Sequence, residues 1–252
     1  MDRSEAINPS NQKETSPQAP MPRDYDADPG RFLASTKVPT EDVHPGVAAR
    51  LASAGMRTVI DVGGGNGKLA SLLPDLAIRC LLIDLSPAML ALAPRPVARA
   101  DGSLLPVASA SVDAVAALYT LYHYDDPRRP VSEARRVLRP GGLFVACAPN
   151  RNSNPELAEV VPDWGRPSPF DGEDAAAIVG LVFDRPGDNV EVERWDGPFV
   201  TLTGLADAAS FLRVHGMTEE ASRAAAARLE LPLALTMRGC LVYATKASAV
   251  TC

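Results

Sequence analysis

The sequence predicts an α/β fold: a mostly parallel sheet with helices on both faces. Short β-branched or apolar runs alternate with helix-patterned segments over the first 150 residues. One run, Arg79–Leu85, is almost continuously apolar, as a parallel strand buried on both faces must be. A glycine-rich loop joins another run to a helix.

The elements follow in order. Asp42 or His44 to Ala54 reads as a helix, with Pro45 in its first turn, Val47, Ala48 and Leu51 on one face, and Gly55 closing it. Arg57–Val62 is the first strand, and Lys68–Leu73 continues as a helix stopped at Pro74. After the second strand, Arg79–Leu85, Ser86 and Pro87 open a helix as N-cap and first residue. Val97–Ala100 and Val112–Leu118 are strands. Pro130–Leu138 is a helix ended by Arg139-Pro140-Gly141-Gly142, and Leu143–Ala148 is the fifth strand. Beyond Pro149 the rhythm breaks. Residues 150–172 read as loop, Asp171–Phe183 as a helix capped by Asp171, and Asn189–Trp195 as a strand. Leu205–His215 and Thr218–Leu231 read as helices, and Cys240–Lys246 as a last strand.

Residues 1–24 are polar and rich in Pro, Ser, Asn and Gln, and are expected to form a disordered tail. From Tyr25 to about Thr40 the chain is expected to begin covering one domain that spans 25–252, with 150–205 as a cap.

Composition narrows the function. There are 25 Lys plus Arg against 31 Asp plus Glu, a balance that argues against a nucleic-acid partner. No run of about 18 apolar residues suggests a membrane span, and the N-terminus has no apolar core of a secretory signal, so the expected location is the cytoplasm. Cys80, Cys147 and Cys240 sit in apolar runs and read as buried free thiols, with no spacing that suggests a metal site.

The glycine loop is Asp61-Val62-Gly63-Gly64-Gly65-Asn66-Gly67. The dinucleotide fingerprint needs glycine at 68, where Lys stands. The P-loop pattern fails at Val62 and Leu69. What fits is D-x-G-x-G-x-G, on Asp61, Gly63, Gly65 and Gly67. This pattern resembles the first motif of class I S-adenosylmethionine-dependent methyltransferases. Its ligand carries an ammonium, which an acidic side chain such as Asp61 can help hold, while glycines allow close backbone approach.

Companion segments extend the resemblance over residues 57–150. They are Asp84-Leu85-Ser86-Pro87-Ala88-Met89-Leu90, Asp101-Gly102, Leu104-Leu105-Pro106 through Val115, and Arg136-Val137-Leu138-Arg139-Pro140-Gly141-Gly142. The resemblance implies a Rossmann-like sheet of seven strands, the last antiparallel, with a small cap insertion after the fifth. It implies that Asp84 accepts from the ribose hydroxyls, that Leu85 and Met89 pack near the adenine, and that Asp101 accepts from the adenine amine while the Gly102 N–H meets the ring. Leu118 and Tyr119 complete the cofactor side. It implies S-adenosylmethionine as the cofactor, S-adenosylhomocysteine as the product, and a small-molecule acceptor of the kind met in quinone and natural-product biosynthesis.

Leu118-Tyr119-Thr120-Leu121-Tyr122-His123-Tyr124-Asp125-Asp126-Pro127 resembles the family segment bordering cofactor and acceptor. The N/D-P-P-Y/F motif of amine-methylating enzymes acting on DNA or glutamine is absent. Tyr25, Tyr122, His123, Trp164 and Phe170 are the expected acceptor contacts; Trp164 and Phe170 lie in the aromatic-rich segment beyond Pro149, which also holds Trp195, Phe183, Phe199 and Phe211. His123 is read as a general base or, more readily, as a residue shaping the cleft. Tyr119, Tyr122 and His215 are further base candidates, the last read mainly as a helix terminus. No metal is expected, and the chain is read as a monomer or homodimer. The rival readings are a relative that binds the cofactor without transferring methyl, and an NAD-dependent dehydrogenase.

Overall fold

The structure, a computed structural model, describes residues 25–26, 42–161, 164, 169–215 and 217–248. The tail read over 1–24 and the covering segment read over 27–40 lie outside the described residues.

The chain forms α1 (Val43–Ser53), β1 (Thr58–Val62), α2 (Lys68–Leu72), β2 (Arg79–Asp84), α3 (Pro87–Leu92), β3 (Val97–Arg99) and β4 (Val112–Leu118). It continues with α4 (Arg128–Val137), β5 (Leu138–Pro149), α5 (Ala175–Gly180), β6 (Asn189–Leu202), α6 (Leu205–Val214), α7 (Glu219–Ala226) and β7 (Leu233–Thr245). The strands make one seven-stranded sheet in the order β3-β2-β1-β4-β5-β7-β6, a Rossmann-like α/β arrangement. β3 through β5 pair in parallel, and β7 runs antiparallel to both β5 and β6.

Alternating side chains build a core on each face of the sheet. Ile60, Val62, Val115, Phe144 and Ala146 meet α4 and α5 through Val131, Ala134, Ala175 and Val179. Val59, Ala114, Ala116, Val145 and Cys147 meet α1 and α2 through Val47, Leu51 and Leu69. Asp42 caps α1 and Ser86 caps α3, each side chain accepting from a backbone N–H of the first turn.

A third cluster stands apart. Leu157, Val160, Phe211, Leu212 and Ala225 pack with Val200, Leu202 and Leu235, where β6 and β7 run past the end of the sheet core. This cluster draws on residues from 157 to 235.

Several aromatics assigned to the cap pack elsewhere. Phe170 and Phe183 belong to the core on one sheet face, where Phe183 stacks on Phe144 at 5.8 Å. Trp195 lies on β6 against Gly239 and packs with the opposite face. The side chain of Phe199 lies outside the described part. Burial in the sheet layers claimed these rings, because a two-faced sheet needs large side chains on both sides.

Candidate active site

The predicted cofactor residues gather at the C-terminal ends of four adjacent parallel strands, where open α/β sheets bind ligands. β1 delivers Asp61 and β2 delivers Asp84. The glycine loop crosses between them, and its Gly65 N–H donates to Asp84 Oδ2 at 3.0 Å. Asp84 Oδ1 accepts from the Ser86 N–H at 2.9 Å. Gly63 has φ 63° and turns the chain tightly against β4, and a Cβ there would collide with Thr120 Oγ1.

Asp61 is buried, 2% exposed, and takes a backbone hydrogen bond from Ala70. Among the described residues its Oδ2 has no hydrogen-bond partner. Burial, and secondarily the charge of Asp84, push its carboxyl up to about 7. An ammonium from a ligand would supply the missing partner and favour the ionised form.

Past β3, Asp101 Oδ1 accepts from the Ser103 N–H at 2.7 Å. The Tyr124 hydroxyl lies over Gly102 and takes its backbone N–H, the donor that the resemblance assigned to an adenine ring. Met89 is buried at 2% exposure, but Leu85 is 54% exposed and Leu104 76%. These two leucines leave apolar surface beside Asp84 and Asp101.

β4 delivers the buried Leu118 and then Tyr119, whose φ is 54°. A short 3₁₀ turn, Leu121–His123, presents Tyr122 and His123, their rings 4.5 Å apart. The Tyr25 hydroxyl hydrogen-bonds His123 Nε2 at 3.0 Å. Its neighbour Asp26 accepts from Ser86 Oγ at 2.6 Å and from the Ala88 N–H at 3.0 Å. Tyr25 and Asp26 therefore bridge from the end of β2 to the end of β4, across β1 between them. Asp26 escaped the sequence reading: it sits in no spacing pattern, and only its tertiary contacts with Ser86 and Ala88 reveal it.

One expected acceptor contact changes. Phe170 has 0% exposure within the core, so it has no surface to offer an acceptor. Trp164 packs on the third cluster, and its indole N–H donates to the Ser153 carbonyl at 2.8 Å. His215 ends α6, its ring stacked on Phe211 at 4.3 Å. Among the described residues, no group of three or more His, Cys, Asp or Glu could hold a metal ion. No helix there is long and apolar enough to cross a membrane.

These strand ends and the loop joining them fall almost entirely within a segment that known proteins share. Residues 60–146 match a methyltransferase domain. The chain is 41% identical over 100 residues to a Mycolicibacterium smegmatis protein named as an S-adenosylmethionine-dependent methyltransferase, covering 38% of this chain and 39% of that one. The chain spans between 37% and 51% of the length of mycobacterial relatives such as this one. The crystal structure of a SAM dependent methyltransferase from Archaeoglobus fulgidus aligns with a TM-score of 0.56 at 20% identity, covering 85% of this chain and 99% of that one. The [4+2]-cyclase SpnF aligns with a TM-score of 0.55 at 19% identity over 81% of each chain. These two likenesses establish the shared fold.

Proposed function

We propose that this chain is an enzyme that transfers a methyl group from S-adenosylmethionine to a small-molecule acceptor, in the cytoplasm and in secondary metabolism, as a monomer or homodimer. The observation that carries the reading is the buried, unpartnered Asp61 carboxylate oxygen beside a glycine loop. An uncompensated buried carboxylate is costly, and a cationic ligand removes that cost. Asp61 would hold the cofactor's ammonium, Asp84 its ribose hydroxyls, and Asp101 its adenine amine, with Leu85 and Met89 beside the ring. The methionine end would pass Gly63, Gly65 and Gly67 toward Leu118 and Tyr119.

The cofactor supplies an activated methyl on a good leaving group. The protein's share is to hold an acceptor in line and exclude water. Tyr25, Tyr122 and the cap would border the acceptor.

Calorimetry tests this reading. S-adenosylmethionine is expected to bind and NAD not to. Asp61 must be ionised to hold the ammonium, so affinity falls as pH drops through about 7. Between pH 8 and pH 6 the expected loss is about tenfold. For the free protein the sign is opposite: a carboxyl raised above its unfolded value makes folding less favourable as pH climbs from about 4 to 7. NAD binding would replace the reading with a dehydrogenase. Cofactor binding without methylation of any acceptor in a broad panel would point to a non-transferring relative.

His123 belongs to the cleft wall in this reading, because its Nε2 is already engaged by Tyr25. His123→Gln is expected to weaken cofactor affinity while kcat changes less than about tenfold. A kcat loss of about 10²–10⁴-fold with intact affinity would instead make it the base.

A further inference from the structure

Tyr25 engages His123 Nε2, and the first turn of α1 supplies a second imidazole at the same strand ends. His44 and Asp42 are joined twice: the His44 N–H donates to Asp42 Oδ1 at 3.0 Å, and the same oxygen pairs with His44 Nδ1. That pairing places the ring proton on Nδ1 and leaves the lone pair on Nε2. No hydrogen-bond partner holds Nε2 among the described residues.

The place is right as well. α1 lies on the sheet face formed by Ala114, Ala116 and Leu118 of β4, and the His44 ring sits 6.5 Å from the ring of Tyr119, which follows β4. So His44 stands at the strand-end edge that carries the glycine loop, with its side chain 14% exposed. Three groups act on it: Asp42 from its own turn, Lys68 from the start of α2, and the Tyr119 ring. Burial lowers the proton affinity of His44 first, Asp42 raises it, and Lys68 lowers it, with a net fall from the ordinary value. The imidazole is therefore neutral near pH 7 and able to take a proton.

We infer that Asp42 and His44 form a general-base dyad that accepts the proton of a hydroxyl-bearing acceptor. The inference rests on the methyl-transfer reading. As the acceptor oxygen's electron pair forms the O–C bond to the methyl carbon, its proton passes to His44 Nε2. The C–S pair stays on sulfur and leaves a neutral thioether. The imidazolium is held by the Asp42 carboxylate, then returns its proton to water.

The test uses the full chain and two ligands. Sinefungin carries an ammonium where the methyl group would sit, and S-adenosylhomocysteine carries nothing there. The protein has three histidines, so imidazole NMR titration resolves each. His44 is expected to titrate at lower pH with sinefungin than with S-adenosylhomocysteine. Asn is a good helix cap, so Asp42→Asn removes the charge while keeping the turn, and is expected to lower the His44 titration further. His44→Gln is expected to cut kcat by about 10²-fold or more, with S-adenosylhomocysteine affinity within about threefold and the acidic limb of the kcat profile lost. If S-adenosylhomocysteine binds and His44 does not respond to either ligand, or if His44→Gln keeps its kcat or loses affinity instead, the dyad is wrong and methyl transfer stands. If the wild-type chain binds neither ligand, the methyl-transfer reading falls and takes the dyad with it.

Discussion

Asp84→Ala is expected to weaken S-adenosylmethionine binding by at least about tenfold. Two carboxylate hydrogen bonds to the ribose are lost, at roughly 1.5–3 kcal/mol each, and about 1.4 kcal/mol is tenfold in affinity. The same change frees the Gly65 and Ser86 N–H groups that Asp84 holds at 3.0 and 2.9 Å, so the loop loosens as well. A second signature separates this from general damage. The Asp84 charge helps raise the Asp61 carboxyl to about 7, so in Asp84→Ala the pH at which binding fails should move downward. Calorimetry from pH 5 to 8 reads both effects. Unchanged affinity at pH 8 would remove Asp84 from the site.

The largest stability loss is expected at Asp188. Its side chain is 1% exposed, and Oδ2 accepts from Arg135 Nε at 3.2 Å and Nη2 at 2.8 Å. Oδ1 accepts from the Ala247 N–H at 2.8 Å. One carboxylate thus ties α4 to the start of β6 and the end of β7. Asp188→Ala leaves Arg135 buried without its partner, a defect that costs about 3–5 kcal/mol. For a chain of this size the melting temperature should fall by roughly 10 °C. Burial pushes the Asp188 carboxyl up, but the Ala247 and Arg185 N–H groups and Arg135 outweigh it and hold it below the ordinary value. Its contribution is therefore present at neutral pH and fades in acid as the carboxyl protonates. Denaturant melts of wild type and variant at pH 7 measure the loss, and a difference under about 1 kcal/mol would refute it.

Much of the sheet was legible because its signals are local. The strands β1, β2 and β4 are short, mostly apolar runs, and central parallel strands covered on both faces must read that way. The glycine loop was legible for a similar reason: Gly63 is needed where φ is 63° and a side chain would strike Thr120. The second half was less so. Asn189–Trp195 was read as a strand stopping before Gly197 and Pro198, yet β6 pairs with β7 from Asn189↔Thr245 to Leu202↔Leu233. The partner strand supplies the hydrogen bonds that override those local breakers, with a register shift at Pro198 and Val200. The helix read over Asp171–Phe183 shrinks to Ala175–Gly180. Asp171 is spent on its own loop, pairing with Arg151 at 3.2 Å and accepting from the Glu173 N–H at 2.9 Å.

By itself the sequence determined the α/β class, the glycine loop and the acids at the strand ends. Those depend on residue type and short spacing, which local sterics and burial impose directly. Tertiary structure decided which aromatics are core, as Phe170 shows, and which polar groups meet. Tyr25 reaches His123 across 98 positions, and Asp26 reaches Ser86 across 60. Such contacts form only when the sheet brings the ends of β2 and β4 to either side of β1, and no periodicity along the chain encodes that distance.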